Sequence, residues 1–200
     1  GYLVAFLETP QDCLSLKGLV VMLHGLGGST RRRGLRRMAS FLVRSGFAVL
    51  KLNLRGADPC RNIVPGTYAA ECNSDLIPVL IRARELANSF FNPSQNERTN
   101  IPLYGVGISL GGTILLNACL SIKANNLFPH KVLDGLVCLS SPLDLLNSSI
   151  SIERPRNIIY QRWLLQRLVR QTLLDPFGID KKEYEFLRGE KIENGRSPLR

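Results

Sequence analysis

Ile101-Pro-Leu-Tyr-Gly-Val-Gly-Ile-Ser109-Leu-Gly-Gly-Thr-Ile-Leu-Leu-Asn117 is the stretch that decides the fold. Strand formers lead into Gly107-Ile108-Ser109-Leu110-Gly111, and a run of helical character follows at once. G-x-S-x-G between a strand and a helix is the context of a nucleophile elbow, a strained turn that exposes a serine hydroxyl. Side chains two residues before or after the serine would collide with neighbouring backbone, which gives Gly107 and Gly111 a mechanical reason. A helix starting here aims its free N–H groups and positive dipole end at the serine. Ser109 is the candidate nucleophile.

A second glycine-rich turn lies upstream, in Gly18-Leu-Val-Val-Met-Leu-His24-Gly25-Leu26-Gly27-Gly28-Ser29, again after a buried-type strand. Folds built on such an elbow draw one oxyanion-binding N–H from the residue after the nucleophile and another from the loop after an earlier strand. Leu110 and Leu26 occupy those places. The competing reading is a phosphate-cradling loop. Neither G-x-x-x-x-G-K-[ST] nor G-x-G-x-x-G occurs, and the oxyanion reading is preferred.

Working outward, strand and helix signals alternate. Residues 2–8 and 17–23 read as strands. Residues 33–45 have helical spacing and end at Gly46, and residues 47–54 form the next strand. After a loop with Pro59, Pro65 and Gly66, a long helix is expected over 75–90, then the elbow strand (101–107), its helix (109–122) and a strand over 132–139. That order requires an α/β fold, a mostly parallel sheet with helices on both faces. After Ser140-Ser141-Pro142-Leu143-Asp144 the pattern changes, and an amphipathic helix is expected over 158–174.

Two hundred residues with 44% hydrophobic content suit one globular domain. No apolar run reaches the 18 residues that would mark a membrane span. The chain does not begin with Met, and no signal peptide is visible. Five cysteines (Cys13, Cys60, Cys72, Cys119 and Cys138) lack C-x-x-C spacing, which argues against metal and disulfides and for a reducing, cytoplasmic setting. Cys119 and Cys138 read as small buried hydrophobes. The net charge of +10 is spread along the chain, and its densest cluster is Arg31-Arg32-Arg33 with Arg36 and Arg37. No aromatic residues interleave with that cluster, so nucleic acid is not an expected partner. A solvated helix face is the first reading, and peripheral contact with an anionic membrane surface the second.

Four segments together, His24-Gly-Leu-Gly-Gly-Ser29, Leu52-Asn-Leu-Arg-Gly56, Leu103-Tyr-Gly-Val-Gly-Ile-Ser-Leu-Gly-Gly112 and Leu139-Ser-Ser-Pro-Leu-Asp-Leu145, resemble the YheT-type branch of the α/β-hydrolase family. These are relatives of the abhydrolase-domain esterases. The resemblance covers nearly the whole chain. It implies an acyl-serine mechanism, no cofactor and a small-molecule ester substrate, possibly a lipid ester. Ser109 matches the family nucleophile, and Leu26 and Leu110 match the oxyanion donors. It also implies a division into a hydrolase core over residues 1–150, incomplete, and a helical lid-like segment over 151–200. In such a lid, Trp163 and its neighbours would line an acyl pocket. Plain packing of an apolar stripe is the alternative. In the family the acid follows the seventh strand and the histidine the eighth. Neither element is found here, so the expectation is a fragment whose Asp and His lie beyond Arg200.

The residues present offer poor substitutes. His130 precedes its strand and falls at the sheet edge remote from the elbow, far outside the ~3 Å reach of a general base. His24 is at the catalytic edge, where bonding to loop backbone is its expected role. Asp144 is an alternative acid, with capping of the next turn as the plainer reading. Asp75 reads as a helix N-cap or first-turn acid, and Arg55 as a salt-bridge partner rather than an anion ligand. The leading function is ester hydrolysis through an acyl-serine. A non-catalytic binding scaffold is the alternative, and acyl transfer is a third reading.

Overall fold

A computed structural model of the chain describes residues 2–11, 16–89, 101–127 and 131–178. His130, Cys13 and the charged tail over 180–200 lie outside the described residues.

Five strands form one sheet: β1 (Ala5–Glu8), β2 (Leu19–Leu23), β3 (Ala48–Leu52), β4 (Leu103–Ile108) and β5 (Gly135–Leu139). Their spatial order is β1-β3-β2-β4-β5. Only β1 is antiparallel, against β3, and the other pairings are parallel. The helices are α1 (Arg33–Arg44), α2 (Leu76–Ser89), α3 (Leu110–Ala124), α4 (Leu145–Ile152) and α5 (Ile158–Leu173).

β2 is the centre, and its five apolar residues are all buried, as a strand covered on both faces demands. Val20 and Met22 meet Leu35 and Ala39 of α1 on one face. Leu19, Val21 and Leu23 meet Leu80 and Ala83 of α2 and Ile114 and Ala118 of α3 on the other. Each fully buried Leu contributes about 2 kcal/mol of burial free energy, so this two-sided core anchors the sheet. Parallel connections are right-handed, so the crossover from β2 out to β3 and the return to β4 place their helices on opposite faces. The switch between the two directions lies at β2 and β4. Leu23 pairs with Gly107, and Ile108 with Leu139, so the chain leaves β2, β4 and β5 at one common edge. An open α/β sheet makes its site there.

Several elements depart from expectation. β5 starts at Gly135 rather than 132, because Asp134 turns aside to Leu103. Its carboxylate accepts Leu103 N–H at 2.8 Å and Arg84 Nη2 at 2.8 Å. Burial of Cys138 is corrected: the residue is exposed, because β5 is the outermost strand of the described sheet and its last three residues are open, although its Sγ rests 3.6 Å from the Gly112 carbonyl. Cys119 is half-buried. Asp75 closes a 3-10 turn (Cys72–Asp75) just before α2 and grips Arg55 in a two-pronged pair, Nη2 to Oδ1 at 2.6 Å and Nε to Oδ2 at 2.9 Å. The salt-bridge reading of Arg55 therefore stands.

Candidate active site

Ser109 sits between β4 and α3 with φ 52° and ψ −129°, a left-handed conformation that a non-glycine residue adopts only under constraint. The constraint is visible in the packing around it. A Cβ on Gly107 would fall 2.3 Å from Gly112 Cα, and one on Gly111 would fall 2.3 Å from the His24 carbonyl oxygen. Ser109 N–H donates to Leu139 O at 2.8 Å, and its own carbonyl accepts Gly112 N–H at 2.9 Å. The elbow is thus fastened to β5 on one side and to its helix on the other.

The loop after β2 presses directly on the serine. A Cβ on Gly25 would lie 2.9 Å from Ser109 Cβ, so only glycine lets the loop come this close. Leu26, Ser109 and Leu110 line one cavity of about 260 Å³. Leu110 is the first residue of α3, where backbone N–H groups have no helical partner. The structure therefore brings together the three residues singled out from sequence.

His24 does something different. It is buried, its Nδ1 donates to Gly25 O at 2.9 Å, and its Nε2 accepts Leu54 N–H at 3.2 Å. Both ring nitrogens are committed to backbone. Burial pulls its pKa down to about 4 from the ordinary 6.5, since the charged imidazolium would have no water around it. This histidine is a neutral staple between the two strand-end loops, as expected. Among the described residues Ser109 Oγ has no hydrogen-bond partner.

Tyr68 was not anticipated. Its ring meets His24 edge-on at 5.4 Å. Its hydroxyl donates to Gly25 O at 3.1 Å and accepts Gly28 N–H at 3.3 Å, so one side chain ties both ends of the glycine loop. Burial raises its pKa to about 12. Nothing in Pro65-Gly-Thr-Tyr68 announces this role, because it depends on a contact across more than forty residues.

α4 and α5 supply the remaining wall. Asp144 is the N-cap of α4: Oδ1 accepts Asn147 N–H at 2.8 Å and Oδ2 accepts Asn147 Nδ2 at 2.6 Å. These bonds lower the Asp144 pKa. Leu164 and Leu168 of α5 face the cavity. The placement of Trp163 in an acyl pocket is corrected. It stacks on Tyr160 at 5.9 Å between ring centres and stands 45% exposed, outside the cavity lining.

No family model matches the chain. YheT of Escherichia coli (strain K12), a candidate esterase by name, is 29% identical over 165 residues, which are 82% of this chain and 44% of that protein. Medium-chain fatty acid ethyl ester synthase/esterase 2 of Saccharomyces cerevisiae is 30% identical over 166 residues, 82% of this chain and 33% of that protein. A soluble variant of the monoglyceride lipase of the same yeast, solved with a substrate analogue, superposes with a TM-score of 0.51 at 21% identity. That match covers 78% of this chain and 47% of the solved one. The chain thus spans less than half the length of these relatives.

Proposed function

We propose, for a chain that belongs to the YheT-type branch of the α/β-hydrolase family, that Ser109 is the nucleophile of a carboxylic-ester hydrolase. The observation carrying this reading is Ser109 itself, strained at a strand-to-helix turn and opening on a cavity shared with Leu26 and Leu110. In this account Ser109 Oγ attacks the ester carbonyl. The Leu26 and Leu110 N–H groups hold the oxyanion, the alcohol departs, and water releases the acyl group. The proton of Ser109 needs a base, and His24 is committed elsewhere. The proposed base is a histidine, oriented by an aspartate, both supplied beyond Arg200. Asp144 is disfavoured as the acid because both its oxygens cap α4. α4 and α5 act as a lid-like wall for the acyl group. The chemistry needs no metal or cofactor.

The relatives' names support an ester substrate, and the yeast name, synthase/esterase, covers acyl transfer to an alcohol as well as hydrolysis. Cytoplasmic placement with peripheral membrane contact completes the proposal. Among the described residues no helix is long and apolar enough to cross a membrane.

A non-catalytic binding scaffold is the second reading, since the cavity beside Ser109 would hold a ligand with or without chemistry. The two readings separate on hydrolysis of a short p-nitrophenyl ester by the full protein. The enzymatic reading expects turnover, and loss of about 10,000-fold or more in Ser109→Ala. Undiminished turnover in that variant would sink the assignment of Ser109.

A further inference from the structure

On the other side of α5 from the Ser109 cavity lies a second cavity, about 340 Å³, lined chiefly by charge. The two share their partition. Leu26 faces the first and Gly27, Gly28, Ser29, Arg31 and Arg32 the second, while Leu164 and Leu168 face the first and Arg167 and Arg170 the second. Five guanidinium groups line this second space (Arg31, Arg32, Arg61, Arg167 and Arg170), against one carboxylate, Asp58.

Among the described residues their charges are not balanced locally. Among the described residues, only Arg31 has a carboxylate partner, Asp58 at 3.1 Å, and that pair is open to water. Arg32 spends one nitrogen on the Gly27 carbonyl at 2.7 Å. Burial, and then the charge of Arg167, lower the Arg32 pKa. Arg167 is fixed in place: its guanidinium lies 4.6 Å over the Trp163 ring, and its stem packs against Gly27, where a Cβ would be 3.2 Å from Arg167 Cβ. Its Nε is buried with no hydrogen-bond partner among the described residues.

Like charges gathered in a partly desolvated space repel, and a buried N–H left unpaired costs ~1–3 kcal/mol. A folded protein retains such an arrangement where something negative completes it. Several planar forks around one space fit a tetrahedral dianion better than a single carboxylate, since each fork can take two oxygens. We propose that this cavity is an anion subsite that takes a phosphate or phosphoester group. It touches the loop carrying Leu26 through Gly27, so an occupant would stiffen the oxyanion loop from behind. The proposal stands on charge and geometry and does not depend on Ser109 chemistry.

The test is calorimetric titration of the full protein with inorganic phosphate, against sodium chloride at matched ionic strength. Saturable binding is expected, weakened about tenfold in Arg61→Gln/Arg170→Gln. Arg36→Gln/Arg37→Gln removes the same charge from an exposed helix face outside the cavity and should leave the affinity unchanged. Hydrolysis of a short neutral ester should be unaffected in Arg36→Gln/Arg37→Gln, and the binding readout can fail without touching the assignment of Ser109. A second arm uses phosphatidylcholine vesicles with about one-fifth phosphatidic acid. Retention that inorganic phosphate competes away identifies a lipid headgroup as the occupant, whereas phosphate binding without retention identifies a small soluble anion. No phosphate-specific heat, or equal weakening in the two double variants, overturns the subsite.

Discussion

The elbow and the α5 wall bound the same cavity, yet different forces fix them. At the elbow, backbone meets backbone: Gly107 against Gly112, Gly111 against the His24 carbonyl, and Gly25 against the Ile108 carbonyl, with approaches that no side chain would permit. Along α5, side chains meet space. Leu164 and Leu168 turn to the cavity, Arg167 turns to the neighbouring one, and Trp163 lies outside the lining. The lesson is that a site fixed by backbone sterics leaves a written mark, because glycine is the only residue that fits. A wall of side chains leaves little, because many residues would pack.

The comparison can be broken most forcefully at Gly107. Gly107→Ala must push a methyl into the Gly112 backbone, and a loss of about 4 kcal/mol of stability is expected from urea unfolding. A loss below about 1 kcal/mol would mean that the elbow is not sterically fixed.

His24 tests the same region through pH. Its folded pKa, about 4, lies below the unfolded 6.5. The unfolded chain therefore binds the proton first as pH falls. The contribution of His24 is fully present above pH 6.5, is lost between 6.5 and 4, and totals about 3 kcal/mol. Gln can accept Leu54 N–H but cannot titrate, so His24→Gln should flatten stability against pH across that window. An unchanged slope would place the acid sensitivity elsewhere.

The α5 wall should respond less. Leu164 is 8% exposed, so Leu164→Ala should cost about 2 kcal/mol and shift acyl-length preference in ester hydrolysis. Trp163→Ala should be smaller again, about 0.5 kcal/mol, with KM for neutral esters unchanged, since the ring is outside the cavity. Equal KM effects at Leu164 and Trp163 would erase the distinction between cavity-facing and outward positions.

These contrasts explain what could be read from sequence. The order of strands and helices was legible because β2 is apolar throughout and α1 repeats its apolar residues at helical spacing. Ser109, Leu26 and Leu110 could be placed together because glycines flag both turns. α4 was not anticipated: Leu145-Leu-Asn-Ser-Ser-Ile-Ser-Ile152 is rich in poor helix formers, and its start depends on the Asp144 cap. Cys138 misled because an apolar strand reads as buried, whereas outermost position in the described sheet leaves it open. Tyr68 and the arginine-lined cavity depend on contacts between distant segments, which local pattern does not encode.

The central claim is that the strained serine is a nucleophile. Labelling the full protein with a fluorophosphonate probe, then locating the adduct by peptide mass spectrometry, tests it most directly. The account predicts one adduct, on Ser109, absent from Ser109→Ala. An unlabelled protein, or labelling that persists in the alanine variant, would contradict it.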